Sequence, residues 1–346
     1  MNKIAIIGLG LIGGSIGLGL KKAASGKVEI HGYDRDMKVG KRAAKIGAVD
    51  KAPYKLYDAV KEANMIILAM PVLAIRDMME TIADMISPGC VVTDTGSTKG
   101  AIMSWAEEYL PKGVSFVGGH PMAGKELSGI DAADAALFQG SRYVIIPSAN
   151  ASKEATTSVI DLAELLEAKP YFLDASEHDS YVAAVSHLPI IMSSALVSAT
   201  TRSPSWREIS KLASTGFRDV SRLASGDPVM NLDICITNGE SIVHWIDQAI
   251  GELRSYRDMV AGAVDETGAQ KMGEAFTDVW DARERWLLRF ESGEDMDDNP
   301  TGQPELPSMR DEMMDLFVGS RMRERYQQIM SLQEDKDSRN RRPRDR

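Results

Sequence analysis

The chain has 346 residues, 44% of them hydrophobic and 26% charged, the balance of an ordinary globular protein with room for two domains. A formal net charge of −10 leaves no global field to draw nucleic acid or an anionic membrane, so an anionic substrate would have to be held by local arginines. Cys90 and Cys235, far apart, point to reduced thiols and a cytoplasmic setting rather than a disulfide framework or a metal site, and no run of 18 or more apolar residues is present to span a membrane.

The opening stretch MNKIAIIGLGLIGG is a short apolar strand running straight into Gly8-x-Gly10-x-x-Gly13. At residue 8 there is little room for a signal peptide or an unrelated leading domain. Residues 4–7 are continuous, mostly β-branched and apolar, as a central parallel strand requires. A helix opens by Ser15, and a second strand at 28–33 ends in Asp34, 21 residues after Gly13. That is the context in which a GxGxxG turn binds a dinucleotide. The glycines let the backbone approach a pyrophosphate, and the helix N-terminus around Leu11 and Ile12 supplies N–H groups and a positive dipole end. Asp34 sits where a carboxylate bonds both ribose hydroxyls and repels a 2′-phosphate, so NAD is expected rather than NADP. Arg35 beside it is either a solvated loop charge or a partner for that phosphate.

Further strand-like runs fall at 65–70, 91–93, 115–117 and 143–146, most of them separated by helix-compatible stretches. This alternation predicts an α/β fold, a Rossmann-type doubly wound parallel sheet, over residues 1–150. Residues 151–292 are expected to form a helical domain, with helices at 152–168, 177–201, 205–212, 228–261 and 267–291 and one more strand at 171–174. Helices as apolar as 185–201 suggest a helical dimer core. Residues 293–308 carry five acids, no bases and three prolines, the composition of a linker. A further amphipathic helix is expected at 309–332 within a C-terminal extension, 309–346, whose end is dense in both charges. The 19 methionines read as core filler.

Three clusters lie where a dinucleotide enzyme needs them. Asp94-Thr-Gly-Ser97-Thr-Lys99-Gly100 and Gly118-Gly-His120-Pro-Met-Ala-Gly124 each follow a strand, at the carboxyl edge where such sheets bind ligands. Ser97 and His120 are therefore expected as neighbours beside the nicotinamide, with neutral His120 taking a proton from a substrate hydroxyl while hydride leaves the same carbon. The third cluster lies in the helical half: His187 beside a proline, and Arg218 and Arg222 four residues apart. The plain alternatives are a satisfied core histidine for His187 and surface arginines paired with Asp219 and Asp227. His31, His178 and His244 are assigned no role; His178-Asp179 reads as a helix cap.

In order, GLGLIGGS, DTGSTKG, GGHPMAGKE, HD-x7-HLP and GFRDVSRLASGDPVM closely resemble the prephenate dehydrogenase family, which includes the arogenate dehydrogenases. The likeness runs from Met1 to about Glu291. It implies a nucleotide-binding domain paired with a helical domain that forms an intertwined homodimer. It also implies NAD-dependent conversion of prephenate to 4-hydroxyphenylpyruvate and CO2, on the route to tyrosine. By the same resemblance His120 is the catalytic histidine and Ser97 the serine that orients it. Arg222 holds the ring carboxylate, His187 helps bind the pyruvyl side chain, and Glu126 gates the site. Arg218 falls where the family often has lysine, and Asn231 where relatives often carry an aromatic. No chorismate mutase segment is expected before Lys3. The roughly 55 residues after Glu291 are too few for a βαββαβ regulatory domain, so inhibition by tyrosine would have to be competitive. The rival readings are arogenate as substrate, a β-hydroxyacid dehydrogenase or imine reductase, and a non-catalytic NAD-sensing protein.

Overall fold

The computed structural model describes residues 2–24 and 26–292; the expected linker 293–308 and extension 309–346 lie outside the described residues. Residue contacts group the chain into two bodies, the first ending at Asp247 and the second beginning at Gln248.

In the first body, seven strands form one sheet: β1 (Asn2–Ile7), β2 (Val28–Tyr33), β3 (Met65–Leu68), β4 (Val91–Asp94), β5 (Ser115–Pro121), β6 (Arg142–Pro147) and β7 (Lys169–Phe172). Their order is β2-β1-β3-β4-β5-β6-β7. Six helices accompany them: α1 (Leu11–Ala23), α2 (Met37–Lys45), α3 (Leu56–Val60), α4 (Val72–Ile82), α5 (Gly100–Tyr109) and α6 (Lys153–Leu165). Side chains alternate along each strand, so β1 sends Ile6 to one apolar cluster with Ile16, Leu20 and Ile30. Ala5 and Ile7 go to the other, with Ile75, Met79 and Ile102. Both faces are therefore covered, as a parallel sheet demands. Because β2 and β3 lie on opposite sides of β1, the crevice of this sheet opens beyond the carboxyl ends of β1 and β3.

Two expectations change. The sheet is not parallel throughout: β6 runs antiparallel to β5, and β7 follows β6 in parallel. The sheet also continues past residue 150, where the sequence reading ends the first domain. Val159, Leu162 and Ala163 of α6 are buried in the same cluster as Ile6 and Ile30, and β7 pairs with β6 from Lys169 to Phe172. Those residues look like the opening of a helical domain only when read apart from the core they complete.

From residue 175 the described chain is helical: α7 (Ala175–Val182), α8 (Leu188–Thr201), α9 (Trp206–Ile209), α10 (Thr215–Ser221), α11 (Pro228–Thr237), α12 (Gly239–Gly262) and α13 (Glu266–Ser292). A π-helical turn, Ala183–His187, joins α7 to α8. Pro189 explains it: the residue has no N–H for the i−4 carbonyl and its ring crowds that turn, so the ladder widens. The single helix expected over 228–261 breaks at Asn238, whose backbone leaves helical geometry (φ −134, ψ 31).

Two carboxylates fasten this helical segment to the sheet. Asp233 Oδ2 accepts from Leu73 N in the first turn of α4 (3.0 Å), and Asp179 accepts from Lys99 N (2.7 Å) and Gly100 N (2.8 Å) where α5 begins. Each satisfies N–H groups that a helix start leaves unpaired and sits at the positive end of its dipole. Away from these joints the helices bury little. Of α8 only Ser193 is fully buried, and Leu232, Ile236 and Val243 are each more than half exposed. The continuous helix 175–201 is, among the described residues, the one stretch long and apolar enough to cross a membrane by length and composition. It nevertheless carries Asp179 and two histidines, His178 and His187, all buried in polar contacts.

In the second body, α12 passes to α13 through a tight turn. A Cβ at Gly268 would stand 2.0 Å from the Gly262 carbonyl oxygen, and Asp265 accepts from Gly268 N (2.7 Å). The Tyr256 and Phe276 rings meet across the pair, 5.7 Å between centroids.

Candidate active site

The glycine turn between β1 and α1 is built for close approach. Gly8 adopts φ +90, and a Cβ there would stand 2.2 Å from the Ala69 carbonyl oxygen; one at Gly13 would stand 1.9 Å from the Gly8 oxygen. No larger residue fits either position. At Gly10, by contrast, a Cβ would meet nothing within 4 Å, so the turn is open above the start of α1. That helix begins with no side-chain cap and no acid in its first turn, leaving the N–H groups around Leu11 and Ile12 for an anion. Asp34, at the end of β2, is held beside the turn: its Oδ2 accepts from Leu9 N (2.9 Å) and its Oδ1 from Asp36 N (2.9 Å). Each oxygen retains a lone pair for a ribose hydroxyl. Arg35 is exposed and forms no ion pair among the described residues, as a solvated loop charge would. The cradle fits a dinucleotide, with pyrophosphate above Gly10 and ribose on Asp34.

A second cluster lies along the ends of β4 and β5. Asp94 is fully buried and accepts from Gly96 N (2.7 Å), Gly119 N (3.1 Å) and the ammonium of Lys99. Lys99, also fully buried, donates to the Gly119 carbonyl as well (2.8 Å). Burial draws the Lys99 amine below its usual range while Asp94 opposes the shift. Removing either partner would strand the other charge, so the pair pins β5 at the residue before His120.

His120 is on the strand itself, opposite Val144 of β6, rather than in the turn after it, because the antiparallel partner extends β5 to Pro121. Its Nδ1 lies 2.8 Å from His178 Nε2, with the rings edge to face at 5.1 Å. His178 Nδ1 lies 2.8 Å from Asp179 Oδ1. Desolvation, then the neighbouring His178, Lys99 and His187, holds the His120 imidazole well below the usual histidine range. The ring is therefore neutral at neutral pH, as a proton acceptor must be. Its ionisation accordingly lies on the acid side of the usual histidine value.

His187, buried at 1% exposure, is pushed down to about 4, by desolvation first. Asn238 Nδ2 donates to the Asp179 carbonyl (2.7 Å) and reaches His187 Nδ1 (3.3 Å). That leaves His187 Nε2 buried with no protein partner, a donor that a substrate oxygen would satisfy.

Ser97 is half-buried and makes no hydrogen bond to His120; the side chain bonded to that ring is His178. Arg222 follows α10 in a short 3-10 turn and donates to Glu126 (3.0 Å), both side chains more than half exposed. The predicted gate residue and carboxylate clamp thus meet. Arg218 pairs with its neighbour Asp219 (3.1 Å) in an exposed position. Asp227 caps α11 instead of pairing with an arginine. Asn231 leaves its Oδ1 buried and unpartnered.

The sequence reading gave no role in the site to His178, Asp179 or Asn238, and named Lys99 only as part of its cluster. One signal was available for the first two. Asp174 and Glu177 form a complete capping box at the start of α7, so the cap was already assigned and His178-Asp179 lay free one turn in.

The profile for the prephenate dehydrogenase nucleotide-binding domain matches residues 16–172, and that for the prephenate dehydrogenase dimerization domain residues 174–275. The prephenate dehydrogenase of Bacillus subtilis is 34% identical over 290 residues, 83% of this chain and 77% of the relative. Among solved structures, Aquifex aeolicus prephenate dehydrogenase in complex with hydroxyphenyl propionate and NAD+ superposes with a TM-score of 0.75 at 27% identity. That match covers 82% of this chain and 98% of the other. Synechocystis arogenate dehydrogenase gives 0.69 at 28% identity, over 82% and 99% of the two chains. The chain belongs to the prephenate dehydrogenase family.

Proposed function

We propose that this enzyme carries out the NAD-dependent oxidative decarboxylation of prephenate to 4-hydroxyphenylpyruvate. The observation that carries the reading is His120: a neutral histidine at the sheet's carboxyl edge, with Nδ1 engaged and Nε2 bonded to none of the described residues. Bound NAD supplies the hydride acceptor for C4 of the substrate ring. His120 Nε2 accepts the C4 hydroxyl proton as that carbon gives up hydride. Loss of CO2 from C1 then delivers an electron pair to the ring, and the proton returns to the phenol oxygen. The protein's main task is to hold C4 at the nicotinamide and water outside. Arg222 would exchange Glu126 for the ring carboxylate, and His187 would donate to the side-chain end. Pure protein mixed with NAD and prephenate should generate NADH absorbance. Activity with arogenate alone would install the second reading, which the Synechocystis likeness favours; the two substrates differ only at the side-chain end.

The cofactor choice rests on Asp34. NAD should exceed NADP by at least about tenfold in kcat/KM, because the carboxylate bonds ribose hydroxyls and repels a phosphate. Asp34→Ser should narrow the gap, since exposed Arg35 would then be free to meet that phosphate. A wild-type preference for NADP would transfer control of the pocket to Arg35.

The exposed apolar side chains of α8 and α11, together with the dimerization-domain match, support a homodimer. The thermal midpoint should then rise with protein concentration by mass action. A midpoint constant over a hundredfold dilution series would count against an obligate dimer. The reading carries with it a cytoplasmic enzyme whose two thiols stay reduced.

A further inference from the structure

We propose that His178, anchored by Asp179, is a positioning residue that fixes the tautomer of His120 and so keeps its Nε2 lone pair aimed at substrate. The proposal rests on the assignment of His120 as the proton acceptor, and its argument is a chain of donors and acceptors. Asp179 Oδ1 already receives the Lys99 backbone N–H at 2.7 Å, so it is an acceptor, and His178 Nδ1 at 2.8 Å must be the donor. In its neutral form His178 carries that one N–H, which leaves its Nε2 with a lone pair. At 2.8 Å from that lone pair, His120 Nδ1 must carry the proton, and His120 Nε2 is left as an acceptor. With His178 in its neutral form, each link follows from the one before, starting from the Lys99 peptide N–H.

The anchor is itself held from several sides. Asp179 Oδ2 accepts from Gly100 N (2.8 Å), its own carbonyl accepts from Asn238 Nδ2 (2.7 Å), and His178 is fully buried. The chain therefore spans both halves of the site, from the start of α5 through α7 to the end of β5. When His120 takes the hydroxyl proton from substrate, its Nδ1–H strengthens as a donor to His178, which is already polarised toward a carboxylate. The imidazolium is thus stabilised by groups whose orientation is set in advance, the arrangement that preorganised active sites exploit. The charged and titratable groups facing His120 are His178, Lys99 and His187. Only His178 is bonded to it.

The test uses two variants and two readouts on the full chain. His178→Phe keeps the ring's bulk but removes the acceptor. His178→Gln offers an amide oxygen to His120 Nδ1–H and an amide N–H to Asp179. Nitrogen-15 chemical shifts of the free enzyme should show wild-type His120 protonated on Nδ1, and that preference should vanish in His178→Phe and return in His178→Gln. Turnover of prephenate should follow: at least about tenfold lower kcat in the Phe variant, part of the 10²–10⁴ that a general base contributes, with KM changed little. The Gln variant should recover most of it. Wild-type His120 protonated on Nε2 would overturn the proposal, as would a Phe variant with kcat within twofold of wild type, or a Gln variant no better than Phe. The shifts are read without substrate, so they decide the tautomer even if prephenate is not turned over, a result that would fail only the assignment of function.

Discussion

Replacing His120 with asparagine is expected to lower kcat by about 10²–10⁴-fold, the range that a positioned general base contributes, while leaving the KM for prephenate within a few-fold. Asparagine can keep a donor near His178 Nε2, so the buried relay and the fold should persist, and the lost element is the Nε2 lone pair. The pH profile supplies the independent check. His120 is active when neutral, so kcat/KM should rise with pH as the imidazole loses its proton. Burial beside His178, Lys99 and His187 lowers that ionisation, so the acid limb should sit below the ordinary histidine value of about 6.5. The variant should lack this limb. More than a third of wild-type kcat, or an unchanged acid limb, would remove His120 from the mechanism.

The parts of this protein that were legible in its sequence are those encoded by short-range rules. The first strand, the glycine turn and Asp34 lie within 34 residues, and the turn's own geometry, φ +90 at Gly8 and the Gly8 carbonyl against Gly13, calls for glycine there. The ends of β4 and β5 were legible for the same reason. What the sequence concealed was set by contacts between distant segments. Residues 153–172 join the sheet because their apolar face meets a core built by residues 6–30, not because of anything local. The break at Asn238 has a local signal in the Asn238-Gly239 pair, but a distant contact fixes its side chain. The side chain at 238 is committed to Asp179 and His187, some fifty residues away in the chain.

The catalytic cluster shows the same division. His120 and His187 could be picked out by their odd settings, beside glycines and a proline. His178 could not, since a histidine followed by aspartate near a helix start has an ordinary explanation as a cap. Only the fold brings α7 against β5, and with it an imidazole to His120 Nδ1. The wide π turn before Pro189 belongs here too, for it separates His178 on α7 from His187 ahead of α8 while both stay buried beside Asp179.

Arg222→Ala is expected to act in the opposite sense to His120→Asn, raising the KM for prephenate about 30-fold while kcat falls much less. The ring carboxylate departs as neutral CO2, so the attraction of an arginine weakens as the reaction proceeds. An interaction stronger with substrate than with the transition state governs binding rather than turnover. Truncating one member of a desolvated charge pair costs about 2–5 kcal/mol, and the lower end applies because Arg222 is more than half exposed; about 2 kcal/mol corresponds to the 30-fold. Glu126 sharpens the test. In wild type its carboxylate rests on Arg222 at 3.0 Å, whereas in the alanine variant it would face a dianionic substrate with no cation between them. Part of the rise in KM should then be repulsion, and Glu126→Gln added to Arg222→Ala should recover that part without restoring the rest. Steady-state kinetics on the two single variants and the double variant separate these contributions. An unchanged KM in Arg222→Ala would mean that another cation holds the carboxylate. Full recovery in the double variant would mean that Arg222 serves only to restrain Glu126.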